Sequence, residues 1–226
     1  MIVELKKKNL VLSLLSIFKT KTKIIISITP ENILIESIEI HKYYLSIPNT
    51  LFSCSETFEK FSINPIHLLN SLDLVSSDIL EINSDLIKIC TDTAFIKIPF
   101  ISTISHIYEE VDDIYTKFVV DSKTIGIFSN LKGLVKYEIE DGKLFIRKID
   151  REVIEEIEIK KMSFIETGEL SFPCNNIWTD VVSPILNLVE KVLFLFGANI
   201  LTVQFLFKNE EKIFLEIQIP KTLIEN

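Results

Sequence analysis

The sequence predicts an α+β fold built from two similar domains, each with two helices packed on antiparallel sheet. The order of strand-like and helix-like runs before about residue 110 recurs after it, without sequence identity between the halves. Within each half the apolar positions switch between helical spacing and strand-like alternation. The chain has 226 residues, 47% of them hydrophobic, enough for two domains of about 110 residues with a core each. Domains are expected at 1–103 and 117–226, joined by a linker at 104–116.

In the first half, residues 2–5 read as a strand. Asn9 then precedes Leu10, Leu14, Leu15 and Phe18, which recur at helical spacing. Lys23 to Ile28 and Ile33 to Ile40 read as strands around Thr29-Pro30-Glu31-Asn32, whose Pro and Asn suit a tight turn, and Tyr43 to Ile47 continues as another strand. Phe61 to Asn64 leads into a helix from Pro65 to Val75. Asn64 can cap it, and Pro65 sits in the first turn, where a missing N–H costs nothing. Three strands follow: Ile79 to Ile82, Leu86 to Cys90 and Phe95 to Phe100.

The second half follows the same order. A strand at Lys117 to Val120 leads to a helix starting at Asp121 or Ser122. Strands Val135 to Ile139 and Lys143 to Ile149 then flank Glu140-Asp141-Gly142, the strongest short hairpin signal in the chain. Leu170-Ser171-Phe172 leads through Asn175 into a helix to about Leu188, and the strands Val192 to Phe196, Ile200 to Phe207 and Ile213 to Ile219 close the half.

Composition excludes several classes. The three cysteines, Cys54, Cys90 and Cys174, are widely spaced and lack a CxxC pair, so neither a disulfide framework nor a zinc site is predicted, and a reducing compartment fits. His41, His67 and His106 have no metal-ligand spacing. Five glycines leave no GxGxxG or GxxxxGK[ST] phosphate cradle. No Gly-x-Ser-x-Gly elbow is present, and the acidic groups Glu109-Glu110, Asp112-Asp113 and Glu155-Glu156 with Glu158 read as solvated faces, so no enzyme and no cofactor are expected. Lys6-Lys7-Lys8 before Leu10 to Phe18 resembles a signal peptide but lacks a small-residue cleavage site, and the run Val192 to Phe207 is too short and interrupted to span a membrane, so no membrane partner is expected. A net charge of −8 argues against coating nucleic acid with the whole surface and leaves room for a local basic lining.

Val192 to Lys221, with two strands, the polar turn Lys208-Asn209-Glu210-Glu211 and an ending Ile219-Pro220-Lys221, resembles the C-terminal strands and closing Ala-Pro-Lys of the DNA sliding-clamp family, proliferating cell nuclear antigen and the checkpoint clamp subunits. Phe58 to Phe100 is similar to the family's second helix and following strands, and Phe118 to Phe145 to the start of its second domain. The resemblance implies a DNA-clamp fold, with three chains closing a ring as a homotrimer or heterotrimer around double-stranded DNA, helices inside and sheets outside. It also implies phosphate contacts that read no sequence, DNA polymerase and other clamp-binding proteins as clients, and a clamp loader. A nuclear location follows for a nucleated cell, or a cytoplasmic one for a virus or prokaryote. The competing class is a two-domain interaction scaffold that never encircles DNA.

Carried onto this chain, the DNA-facing positions are Lys6, Lys7, Lys8, Lys19, Lys21, Lys123, Lys132, Lys136, Asn70 and Asn175. Several of the family's inner lysines are absent: Ser13, Asn70, Asp73 and Asn175 stand at such positions and Asp180 adds negative charge, which favours a specialised or heteromeric ring. The client pocket falls at His41, Tyr43, Leu45, Val111, Ile114, Ile217, Ile219 and Pro220. The linker is short and lacks the family's Gly-Ile-Pro stretch, leaving the clients open. Ring closure edge strand to edge strand would need the strands near Ile79 to Ile82 and Phe145 to Ile149 to be exposed edges.

Overall fold

The computed structural model describes residues 1–91, 93–101, 113–128, 130–149, 155–160, 162–166, 169–208 and 212–223. Two compact units divide the chain. The first is Met1–Ile38 with Tyr43–Ile107 and Lys212–Phe214; the second is Glu39–Lys42 with Tyr108–Glu211 and Leu215–Asn226.

The first unit runs β1 (Ile2–Leu5), α1 (Lys8–Leu15, continued by a 3-10 turn Ser16–Phe18), β2 (Ile24–Ile28), β3 (Asn32–Ile38), β4 (Lys42–Pro48), β5 (Phe52–Cys54), β6 (Phe58–Ile63), α2 (Pro65–Leu74), β7 (Ile79–Ile82), β8 (Leu86–Cys90) and β9 (Phe95–Pro99). Its strands lie in the orders β5-β1-β7-β8-β9 and β4-β3-β2-β6. The second unit runs β10 (Thr116–Asp121), α3 (Ser122–Phe128), β11 (Leu134–Glu140), β12 (Lys143–Lys148), β13 (Glu156–Ile159), β14 (Ser163–Glu166), β15 (Ser171–Asn175), α4 (Trp178–Val182, followed by a 3-10 segment Ser183–Leu188), β16 (Val189–Phe196), β17 (Ile200–Phe207) and β18 (Phe214–Pro220). Its strands lie in the orders β14-β10-β16-β17-β18 and β13-β12-β11-β15. Every element of the first unit has a counterpart at the same place in the second, in chain order and in sheet order alike.

Local chemistry accounts for the boundaries. The Asn64 side chain accepts from the Ile66 N–H at 3.0 Å, so α2 starts at Pro65. Asp121 does the same for α3, accepting from the Thr124 N–H at 2.8 Å and its hydroxyl at 2.7 Å. Asp141 and Gly142 both have positive φ, 49° and 73°, the pair a two-residue hairpin turn with the right twist requires. The helix expected from Asn175 to Leu188 is instead a five-residue α4 and a 3-10 segment. Pro184 lacks the N–H to continue the helical ladder and strains the residue before it.

Three short strands escape the sequence pattern: β5, β13 and β14. The acids Glu156 and Glu158, read as part of a solvated run, belong to β13, where Ile157 and Ile159 alternate with them. The two strands expected at free edges are interior: Ile79–Ile82 is β7, between β1 and β8, and Phe145 lies on β12, between β11 and β13. The edges lie one or two strands further out, at β9 and β13.

The first unit's core is aliphatic, with Val3, Leu14, Ile17, Ile24 and Ile63 fully buried. It encloses a wholly apolar cavity of about 40 Å³ lined by Val3, Val11, Ile26, Ile35, Phe61, Leu72 and neighbours. The second unit's core is aromatic and centred on Phe194, which stacks on Phe118 at 4.9 Å and meets Phe128, Tyr137 and Trp178. Beneath it, the buried Asn176 donates to the carbonyls of Phe128 at 2.9 Å and Leu131 at 2.7 Å and accepts from the Tyr137 hydroxyl at 3.0 Å. One amide thereby ties the end of α3, the middle of β11 and the approach to α4.

Asn176→Ala removes the amide partner of the Leu131 carbonyl and of the Tyr137 phenol in an apolar core and leaves the Phe128 carbonyl only the Leu131 N–H. It is expected to lower stability by about 3 kcal/mol, and Tyr137→Phe by about 1 kcal/mol. Urea unfolding followed by the fluorescence of Trp178, the single tryptophan, measures both.

Candidate nucleic-acid interface

In each unit two helices share a face. α1 lies against α2, and α3 lies against α4 and the 3-10 segment that follows it. Their core sides carry Val11, Leu14, Leu15, Leu68 and Leu72 in the first unit and Ile125, Phe128, Trp178 and Val182 in the second. Of the lysines predicted to meet phosphate, Lys8 and Lys123 lie on these helices, and the others lie before or after them or on β11.

At the start of α1, Lys6, Lys7, Lys8 and Asn9 line an open groove with Leu12, Asp73, Ser76 and Asp78. The three lysines are not equivalent. Lys6 is exposed and its ammonium donates to the Asn49 carbonyl at 2.9 Å. The Lys8 side chain is only 14% exposed. Its ammonium donates to the carbonyls of Val75 and Ser77 and lies 4.0 Å from Asp78. Val75 is the C-cap of α2, so Lys8 satisfies a helix-end carbonyl with a cation where the macrodipole favours one. Lys8 therefore pins α1 to the end of α2, which removes it from the freely available charges.

Beyond α1, Lys19 is exposed, while Lys21 is half-buried with its ammonium 4.2 Å from the Tyr43 ring centre. Asn70 is exposed on α2. In the second unit Lys123 is exposed on α3, and Lys132, 71% exposed at its side chain, pairs with Asp180 at 3.3 Å. Asn175 is exposed at the end of β15, its side chain accepting from the Ile177 N–H at 3.2 Å. Lys136 departs from expectation. It lies on β11 between the buried Val135 and Tyr137, on the sheet face turned away from the α3 core, where it pairs with Glu138. It cannot share the helices' surface.

The predicted client pocket is corrected by burial. Tyr43, Leu45, Ile217 and Ile219 are at most 1% exposed and belong to the cores, Tyr43 meeting Phe18 edge-on at 6.2 Å. His41 is buried as well. His41 lies just before β4; for the other four, period-2 alternation placed the residues on strands but could not say which face was inward. Ile114 is half-buried and Pro220 exposed; Val111 and most of the expected linker lie outside the described residues.

The residues sequence reasoning missed are on the outer sheet faces. Arg147 on β12 bonds Glu138 at 2.6 Å, both oxygens of Glu140 at 2.6 and 2.9 Å, and Glu156 at 2.5 Å, and its hydrogen bonds hold the Glu140 carboxyl below the ordinary value. On β7 and β8, the Lys88 hydrogen bond to Glu81 at 2.9 Å lowers the Glu81 carboxyl likewise. The register of adjacent strands, which pairs Arg147 with Glu156 and Lys88 with Glu81, was the only signal for these pairs, and β13 had gone unread.

Nothing in this arrangement activates a nucleophile. Burial pushes the Cys54 and Cys174 thiols up, away from thiolate. Among the described residues no group of three or more His, Cys, Asp or Glu is placed to hold a metal ion, and no helix is long and apolar enough to cross a membrane.

Comparison with known proteins gives a fold without a sequence relative. No protein-family model matches the chain, and no curated protein matches it. Among solved structures, the PCNA2–PCNA3 complex from Sulfolobus tokodaii aligns with a TM-score of 0.77 at 14% identity, over 98% of this chain and 99% of that one. The proliferating cellular nuclear antigen of Entamoeba histolytica aligns at 0.76 and 14%, over 98% of each chain. The fold is that of the sliding clamps. The PCNA of Thermococcus kodakaraensis aligns at 0.73 and 13%, over 98% of this chain and 100% of that one. The two-unit clamp architecture accounts for nearly the full chain, and it fits the element-by-element repetition described above.

Two outcomes are expected. Lys8→Met strips two part-buried carbonyls of their donor and lowers stability by about 1–3 kcal/mol, whereas Lys123→Met stays within about 0.5 kcal/mol, as thermal unfolding will show. Because Glu81 and Glu140 titrate below the ordinary value of 4.5, their contribution is present above that value and is lost as pH falls through the lowered folded values. Arg147→Met is therefore expected to flatten the loss of stability below pH 4.5, read from urea midpoints across pH.

Proposed function

We propose that this protein works as a sliding clamp: a ring subunit that encircles duplex DNA and tethers replication or repair enzymes, as processivity factor or checkpoint clamp subunit. The observation that carries the reading is the duplicated unit, two sheets beneath a helix pair, reproduced over 98% of the chain in clamp structures at TM-scores of 0.73–0.77. Lys6, Lys7, Lys19, Lys123 and Lys132 supply the cations on or beside the helices, few enough that contact with phosphate is loose and sequence-blind. Topological linkage, more than affinity, then keeps the subunit on DNA, and no catalytic group is required.

Closure of the ring needs one free strand edge in each unit. β9 and β13 stand at sheet ends and take the place of the interior strands first expected there. Clients would be proteins that carry a short plug with apolar anchors, and a loader would open the ring.

Retention on DNA tests the reading. The protein, loaded or assembled on nicked circular duplex, is expected to stay bound through a wash at high salt and to leave when the circle is linearised. Loss from both forms at the same rate would support the non-encircling scaffold instead. Lys19→Ala/Lys123→Ala/Lys132→Ala is expected to shorten residence on the circle without lowering the unfolding temperature.

A further inference from the structure

We infer that the apolar cavity in the core of the first unit is a binding site for one small uncharged guest, of about the size of a xenon atom or a short hydrocarbon. The site follows from a difference between the two units at matching positions. The Asn83 N–H donates to the Leu86 carbonyl after β7 as the Gly197 N–H does to the Ile200 carbonyl after β16. Leu80 and Ile82 therefore stand where the second unit has Phe194 and Phe196. Val3 pairs with Leu80 as Phe118 pairs with Phe194. Asn64 and Asn175 each accept from the N–H two residues on. Counting back from them sets Phe61 level with Phe172, and their strand partners Ile26 and Tyr137 level with each other.

At four core positions, then, the second unit carries an aromatic ring where the first carries Val3, Ile26, Leu80 or Ile82. All four are buried and all four line the cavity, with Val11 of α1 and Leu72 of α2 on its helical side. The void marks volume that rings occupy in the second unit and that aliphatic side chains leave open in the first. It lies wholly within one unit and exists whether or not the chain encircles DNA.

The lining selects the guest. The cavity holds about 40 Å³, more than the roughly 10–15 Å³ that one water needs, but a buried water also requires two to four polar partners and a wholly apolar wall offers none. The lining carbons meanwhile lack contacts on their empty side. A guest that needs no hydrogen bond restores those contacts, whereas a polar or charged molecule would lose its hydration with nothing in return. The volume also falls well short of the roughly 150 Å³ in which an apolar cavity takes up benzene. Size and polarity together restrict the site to small apolar molecules.

Methyl NMR of the full chain under increasing xenon pressure tests this. Saturable shifts are expected at Ile26, Ile35 and Ile82, which line the cavity, and none at Ile125, Ile146 and Ile185 in the core of the second unit. Benzene should leave both sets unmoved. Leu80→Phe restores the ring that Phe194 supplies in the second unit, and Val3→Ile adds one methylene. Each should abolish the saturable xenon shifts and, without xenon, raise the unfolding temperature by about 2–4 °C. Shifts that rise linearly without saturating, equal shifts in the two units, or saturable shifts that persist in a folded variant would each overturn the site. Two variants that both unfold below the unmodified protein would show a core already filled and overturn it as well. Saturable benzene shifts at Ile26, Ile35 and Ile82 would overturn the size limit.

Discussion

Each unit depends on burying one face of two antiparallel sheets together with a pair of short helices. Period-2 alternation permits this: Val135 and Tyr137 of β11 turn into the core while Lys136 and Glu138 turn out. The helices are too short to be stable in isolation, and they persist because their apolar stripes lie on that sheet face. Single polar contacts then fix their ends. Lys8 does so for α1 and α2, and Asn176 for α3 and the approach to α4. These polar anchors join opposite ends of the helix pair and differ in chemistry: a mostly buried cation ties the start of α1 to the end of α2, and a buried amide ties the end of α3 to the approach to α4.

Antiparallel pairing satisfies strand backbone on both sides except at sheet ends, and an end is stable only if it is short, covered or partnered. The first unit's aliphatic core and the second's aromatic core reach the same topology with different side chains. This explains how the chain can share an architecture with the clamps across nearly its whole length at 13–14% identity: the topology constrains where apolar residues fall and leaves open which ones they are.

Much of the fold was readable in the sequence, for identifiable reasons. Asn64-Pro65, Asp121 and Asp141-Gly142 are local signals whose hydrogen bonds or backbone angles form within two or three residues, so they survive any tertiary context. Long alternating runs such as Ile200–Phe207 are similarly explicit. β13 was hidden because Glu155, Glu156 and Glu158 mask its alternation, and α4 was overdrawn because apolar spacing ran on through Pro184. The functional surface was less legible. Which face of β4 or β18 points inward, and whether Lys8 reaches solvent or a carbonyl, depends on residues distant in sequence, 67 positions away in the Lys8 to Val75 contact.

Under the proposed clamp function, the fixed position of Lys8 bears on the thermodynamics of DNA contact. A cation that meets phosphate strengthens binding by releasing condensed counterions, and each such contact steepens the decline of affinity with salt. An ammonium already held by carbonyls, in a side chain only 14% exposed, would have to leave them before it could do so. The triplet Lys6-Lys7-Lys8 should then count for no more than two in the ionic-strength exponent, and binding will be less salt-sensitive than its run of charges suggests.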